Sequence, residues 1–172
     1  MGGDQLIESL VGAEVEAEIG DDVRTAHTVL FMELIGEVAP MPGAKALVAE
    51  LLKRGHPVVL SSSASSDEVG HYIDRLDVRE DVKGWTTSAD VEATKPEPDL
   101  IKAALDKAGT DDAALIGDTP YDVEAAQKLG VPTIALMTGG FSEQELLDAG
   151  AVVTFKSIEE LCQNFDATPL AS

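Results

Sequence analysis

The chain has 172 residues, 44% of them apolar, with 12 Lys and Arg against 32 Asp and Glu and a formal charge of −20. No stretch holds more than two basic residues in a row, so a nucleic acid or an anionic membrane face would not find the clustered cations it needs, and the apolar runs are too short for a membrane span or a signal peptide. The one cysteine, Cys162, excludes an internal disulfide and fits a reducing, cytoplasmic setting; the length suits one main domain, and the acidity fits either an ordinary cytosolic protein or one adapted to high salt.

The first predicted element is a short helix carrying Leu6, Ile7, Leu10 and Val11. A longer helix follows, with Asp21 and Asp22 as candidate caps and Val23, Ala26, Leu30, Phe31, Leu34, Ile35 and Val38 at spacings of three and four. From Pro42 the texture changes to short apolar strands alternating with helices. Pro42 suits a first helical position, Ala44, Leu47, Val48, Leu51 and Leu52 form a stripe, and Gly55 closes the helix. Val58 to Leu60 reads as a buried strand, followed by a helix capped by Ser65 or Ser66. Trp85 to Thr87 is a weaker strand, Pro98 opens a helix closed by Gly109, and Ala113 to Ile116 is the next strand. Thr119 caps and Pro120 starts a helix ending at Gly130, and Thr133 to Leu136 is a further strand. Ser142 with Glu145 and Ser157 with Glu160 match the capping-box spacing, flanking a last strand at Val152 and Val153. Strands and helices in this alternation predict an α/β fold: a three-layer, Rossmann-like parallel sheet with helices on both faces. Residues 1–39 read as a partial N-terminal helical cap and 40–172 as the core.

In such sheets ligands bind beyond the carboxyl ends of the strands. Ser61, Ser62 and Ser63 follow the first strand, Lys95 lies in the loop after the second, Asp118 and Asp122 follow the third, and Thr138-Gly139-Gly140 the fourth. Hydroxyls and backbone N–H groups suit phosphoryl oxygens, Lys95 supplies a compact cation, and two carboxylates around a helix start suit an oxygen-seeking ion such as Mg²⁺. Each has a plainer reading: serines cap helices, Asp118 favours a helix dipole, and Lys95 before Pro96 is a solvated loop residue. Their joint placement at successive strand ends favours a site.

The segments Val58-Val59-Leu60-Ser61-Ser62-Ser63, Ala93-Thr94-Lys95-Pro96-Glu97-Pro98-Asp99 and Ile116-Gly117-Asp118-Thr119-Pro120-Tyr121-Asp122 resemble, in order and spacing, motifs two, three and four of the haloacid dehalogenase superfamily. The resemblance runs from about Gly3 to Leu161. The helical start is similar to part of the cap found in the phosphoglycolate phosphatase and β-phosphoglucomutase subgroup. It implies that Ser62, with the Ser63 N–H, binds a transferring phosphoryl group, Ser61 being the alternative hydroxyl. Lys95 would steady that group, Asp118 would ligate Mg²⁺, and Asp122 would support the metal directly or through its neighbours. The implied activity is Mg²⁺-dependent hydrolysis of a small phosphorylated metabolite through an aspartyl-phosphate.

The family's first motif, Asp-x-Asp, is absent from this sequence. The nucleophile and the general acid/base therefore have no candidate. The family pattern would place the strand bearing that motif in the middle of the sheet, between the strands at Val58 and Ala113. The expectation is a chain truncated at its N-terminus and catalytically impaired, with either a gap flanked by unpaired edges or direct pairing across it. Exposed edges predict marginal stability or self-association. A non-catalytic phosphate- and metal-binding relative is the alternative, and a metal-free 2-haloacid dehalogenase a weaker one. No histidine pair has zinc spacing. Trp85 and Tyr121 read as core or rim aromatics and Cys162 as a buried, unreactive thiol.

Overall fold

A computed structural model describes residues 3–91 and 97–171. The chain opens with helix α1 (Gly3–Val11) and the long helix α2 (Ala13–Leu34), joined at Gly12, whose φ of 86° makes the break between them. Asp21 and Asp22 therefore lie inside α2 instead of capping it, because the helix starts eight residues before Asp21. α1 packs along α2, where Gly20 is buried. α2 also leaves Val15, Ile19, Val23, Leu30 and Leu34 exposed, Leu30 at 61%.

Helix α3 (Ala44–Lys53) begins after Gly43, which adopts the left-handed region with φ 83°, so Pro42 sits in the turn before the helix and not in its first turn. Strand β1 (Val59–Leu60) leads to α4 (Ser66–Leu76), whose capping box joins Ser65 and Glu68. Strand β2 (Gly84–Trp85), α5 (Asp99–Ala108), β3 (Leu115–Gly117), α6 (Pro120–Gln127), β4 (Thr133–Leu136), α7 (Glu143–Asp148), β5 (Val153–Phe155) and α8 (Ile158–Gln163) complete the main elements. Ser142 and Glu145 form the expected reciprocal box on α7. On α8 only half of it forms: Ser157 accepts the Glu160 N–H, whereas the Glu160 carboxylate turns to the Lys156 N–H at 2.6 Å.

Every strand pair is parallel, as a βα-alternating sequence requires. The strands form two separate ladders, β1–β2 and β3–β4–β5. Of the two arrangements the sequence allowed, the structure takes the gap: β1 and β3 do not pair. Side chains bridge what the backbone does not, since Val58 packs in the same apolar cluster as Ala114 and Ile116. The difference in burial follows. β4, flanked by strands on both edges, is buried along its whole length, while β1 and β3 are half-exposed. Among the described residues four clusters make up the core, the two largest around Ile134, Phe155, Leu161 and Phe165 and around Val48, Val69, Ile73 and Val78. Cys162 is half-buried at the rim of the first and not fully buried as the sequence suggested, and burial pushes its thiol pKa up, as do Glu50 and Glu159, which disfavours the thiolate.

Candidate phosphate and metal site at the strand ends

β1 ends in Ser61-Ser62-Ser63. The Ser62 N–H donates to Thr86 Oγ1 at 3.3 Å, and the Thr86 hydroxyl reaches Ser61 Oγ at 3.5 Å. Thr86, which directly follows β2, is fully buried, so its hydroxyl ties the ends of the two strands together. Ser62 Oγ accepts the Ala64 N–H at 3.1 Å, closing a short turn before α4, and its own proton is left to donate outward. Ser63 makes no hydrogen bond among the described residues, and both its hydroxyl and its N–H are available to an anion. This pattern separates the two candidate hydroxyls: Ser61 faces the buried threonine, while Ser62 lies within the turn. Thr86 carried no sequence signal of its own beyond its place within the weak strand expected at Trp85 to Thr87, which in the structure is Gly84–Trp85. Lys95 lies outside the described residues.

β3 ends in Gly117-Asp118, and Thr119 caps α6 with Pro120 in the first turn. Here the capping box is completed by Asp122 rather than by Glu or Gln. Its Oδ2 accepts from Thr119 Oγ1 at 2.8 Å, from the Thr119 N–H at 3.1 Å and from the Asp118 N–H at 3.2 Å. Thr119 Oγ1 in turn accepts the Asp122 N–H at 3.2 Å. Asp122 is only 5% exposed, and a buried carboxylate with three donors on one oxygen is a fastener for the loop. Gly117 makes this possible: a Cβ there would stand 2.7 Å from the Asp122 Cβ, so a side chain would push the cap apart.

The Asp118 carboxylate is half-buried and points to a different neighbour. Its Oδ2 accepts from Thr138 Oγ1, just after β4, at 3.1 Å, and Oδ1 has no partner among the described residues. The two loops interlock, because a Cβ on Gly139 would lie 2.1 Å from the Asp118 carbonyl oxygen. Tyr121 meets Phe141 edge-on at 6.3 Å across the same junction, a rim contact as the sequence suggested. Among the described residues no three His, Cys, Asp or Glu side chains cluster, so Asp118 is one carboxylate among hydroxyls and backbone groups. No described helix is long and apolar enough to cross a membrane.

Residues 3–136 match the haloacid dehalogenase-like hydrolase family. A phosphoglycolate phosphatase from Rhodospirillum rubrum is 31% identical over 125 residues, which cover 70% of this chain and 50% of that protein. A phosphoglycolate phosphatase from Escherichia coli is 26% identical, covering 83% of this chain and 62% of the enzyme, so the chain spans less than two thirds of either relative. Among solved structures, a hydrolase from Pseudomonas syringae superposes with a TM-score of 0.89 at 26% identity, over 97% of this chain and 78% of that one. CbbY from Rhodobacter sphaeroides in complex with phosphate gives 0.71 at 25% identity, over 83% and 65%. The chain belongs to the haloacid dehalogenase-like hydrolases, an enzyme family, and its relatives here include phosphatases.

Proposed function

We propose that this chain carries the phosphate- and metal-binding part of a Mg²⁺-dependent phosphatase, acting in the cytoplasm on a small phosphorylated metabolite through an aspartyl-phosphate. Ser62 and Ser63 hold the phosphoryl group with their hydroxyls and the Ser63 N–H, Lys95 neutralises it, and Asp118 ligates the cation. Asp122 serves by fixing the loop that presents Asp118. The observation that carries this reading is the pair of differently employed carboxylates after β3: Asp122 is spent on the cap, while Asp118 keeps Oδ1 open. The donors on offer are all oxygens, which fits a hard ion that keeps several waters, and not zinc. When bound, the ion would draw negative charge off the phosphoryl oxygens, a help in a chain whose net charge of −20 repels anions. Residues 1–39 would be cap and 40–172 core.

No Asp-x-Asp stands in these 172 residues, so the binding groups are present without the nucleophile, and the chain as given is expected to be impaired. The unpaired edges of β1 and β3 also favour self-association. The test is calorimetric titration of inorganic phosphate with and without Mg²⁺, alongside an assay of phosphate release from a generic monoester. Phosphate is expected to bind more tightly with Mg²⁺, an enhancement lost in Asp118→Asn, with no Mg²⁺-dependent release of product. Phosphate binding indifferent to both Mg²⁺ and Asp118 would overturn the site. Turnover in the ordinary enzymatic range, about 1 to 10³ per second, would overturn the view that the nucleophile lies outside these residues.

A further inference from the structure

We propose that Thr138 is a positioning residue that holds Asp118 as a one-oxygen ligand and thereby favours Mg²⁺ over larger cations, an inference that rests on Asp118 being the metal ligand. A carboxylate at the end of a strand can rotate about its terminal bond and offer either oxygen or both. Thr138 removes that freedom: its hydroxyl donates to Oδ2 at 3.1 Å and, among the described residues, leaves Oδ1 without a partner.

The donor itself is rigidly mounted. β4 is buried along its length, and the Met137 N–H, one residue before Thr138, is tied to the Phe155 carbonyl at 2.8 Å. Gly139, one residue after, lets the backbone lie against the Asp118 carbonyl, so hydroxyl and carboxylate belong to one interlocked junction. On the other side, the Asp118 N–H is held by Asp122 at 3.2 Å. Asp118 is thus fixed at its backbone by one neighbour and at its carboxylate by another. The chemistry that follows is specific. Mg²⁺ is small, demands near-octahedral geometry and takes single carboxylate oxygens, whereas Ca²⁺ accepts more ligands and two-oxygen chelation. An oxygen already engaged by a hydroxyl discourages chelation, and partners of this kind, which hold a ligand in place, typically matter 10- to 100-fold in metal affinity.

The test is calorimetric titration of Mg²⁺ and of Ca²⁺ into the 172-residue chain and its Thr138→Val, Thr138→Ser and Asp118→Asn variants, with metal-free melting as a check on folding. Valine keeps the shape of threonine and removes the donor. Thr138→Val is expected to weaken Mg²⁺ binding about tenfold or more and Ca²⁺ binding by less, with Thr138→Ser restoring the wild-type preference. Thr138→Ala replaces the valine variant if that fails to fold, with the same expectation. Mg²⁺ affinity unchanged by loss of the hydroxyl, while Asp118→Asn abolishes binding, refutes the role of Thr138 alone; so does an equal loss for both cations. Wild-type protein that binds no Mg²⁺, or binds it equally well as Asp118→Asn, refutes the metal site beneath it.

Discussion

The two ladders of this molecule end in loops built to different standards. After β3, the Asp118–Asp122 loop is fastened by a capping box, by two backbone N–H groups on one buried carboxylate and by the Thr138 hydroxyl, at 2.8 to 3.2 Å. After β1, the side-chain ties of the serine loop to the segment after β2 are longer, Thr86 at 3.3 and 3.5 Å and Ser66 to Thr87 at 3.4 Å, beside one backbone bond from the Ser88 N–H to the Ala64 carbonyl at 2.9 Å. The backing differs in the same sense: β4 is buried throughout, whereas β1 and β2 are two-residue, half-exposed strands. A small ion with strict geometry needs a pre-set ligand, while a phosphate offers several equivalent oxygens and tolerates a looser cradle. The stiff end is thus the one assigned to the metal.

That contrast can be broken most forcefully in the core beneath it. Ile134→Ala, at a fully buried position of β4, is expected to cost about 2–5 kcal/mol, and the equivalent truncation Leu60→Ala in half-exposed β1 clearly less, both by chemical denaturation. Equal losses would mean that the two ladders are equally packed. Gly139→Ala sharpens the point at the loop junction, where the added methyl would meet the Asp118 carbonyl; overpacking of this kind costs about 1–3 kcal/mol and should also weaken Mg²⁺ binding. Thr119→Ala removes the cap of α6 and is expected to cost about 1 kcal/mol, read as a lower denaturation midpoint. Thr86→Val tests the softer end: phosphate affinity should fall with Mg²⁺ affinity unmoved, and a change in both would show that the ends are mechanically one.

The smallest effect is a pH dependence near β2. The Lys107 ammonium at 2.9 Å, helped by the Thr87 N–H, holds the Asp90 carboxyl below its ordinary range. A carboxylate shifted down lends stability above its unfolded pKa and loses it as pH falls through the lower folded value. Thermal midpoints should therefore drop below about pH 4, and the Lys107→Met variant should show a shallower drop.

The sequence made the alternation of strands and helices legible because Pro, Gly and paired Ser/Thr–Glu signals punctuate it. Thr119 and Ser142 cap where they were expected, and of the two serines offered for α4 it is Ser65 that caps. It misled at α2, where Asp21 and Asp22 look like a helix start but the break lies at Gly12, and a glycine with positive φ is not distinguishable by composition. The spacing of Asp118 and Asp122 showed two carboxylates near a helix start but not their unequal employment. That depends on which one turns into the cap, a tertiary fact enforced by the bare Cα of Gly117. Thr86 was legible only as a residue of a weak strand and Thr138 only as a strand-end residue, since their contacts cross between chain segments about 20 residues apart or more.

In the proposed function both strand ends belong to one site. Amide chemical-shift mapping of the 172-residue chain on addition of Mg²⁺ and inorganic phosphate tests this residue by residue. Linked shifts are expected at Ser62 to Ala64 and at Asp118, Thr119 and Tyr121, with the phosphate-induced shifts at the serines growing when Mg²⁺ is present. Shifts confined to one loop, or absent from both while other surfaces respond, would contradict it.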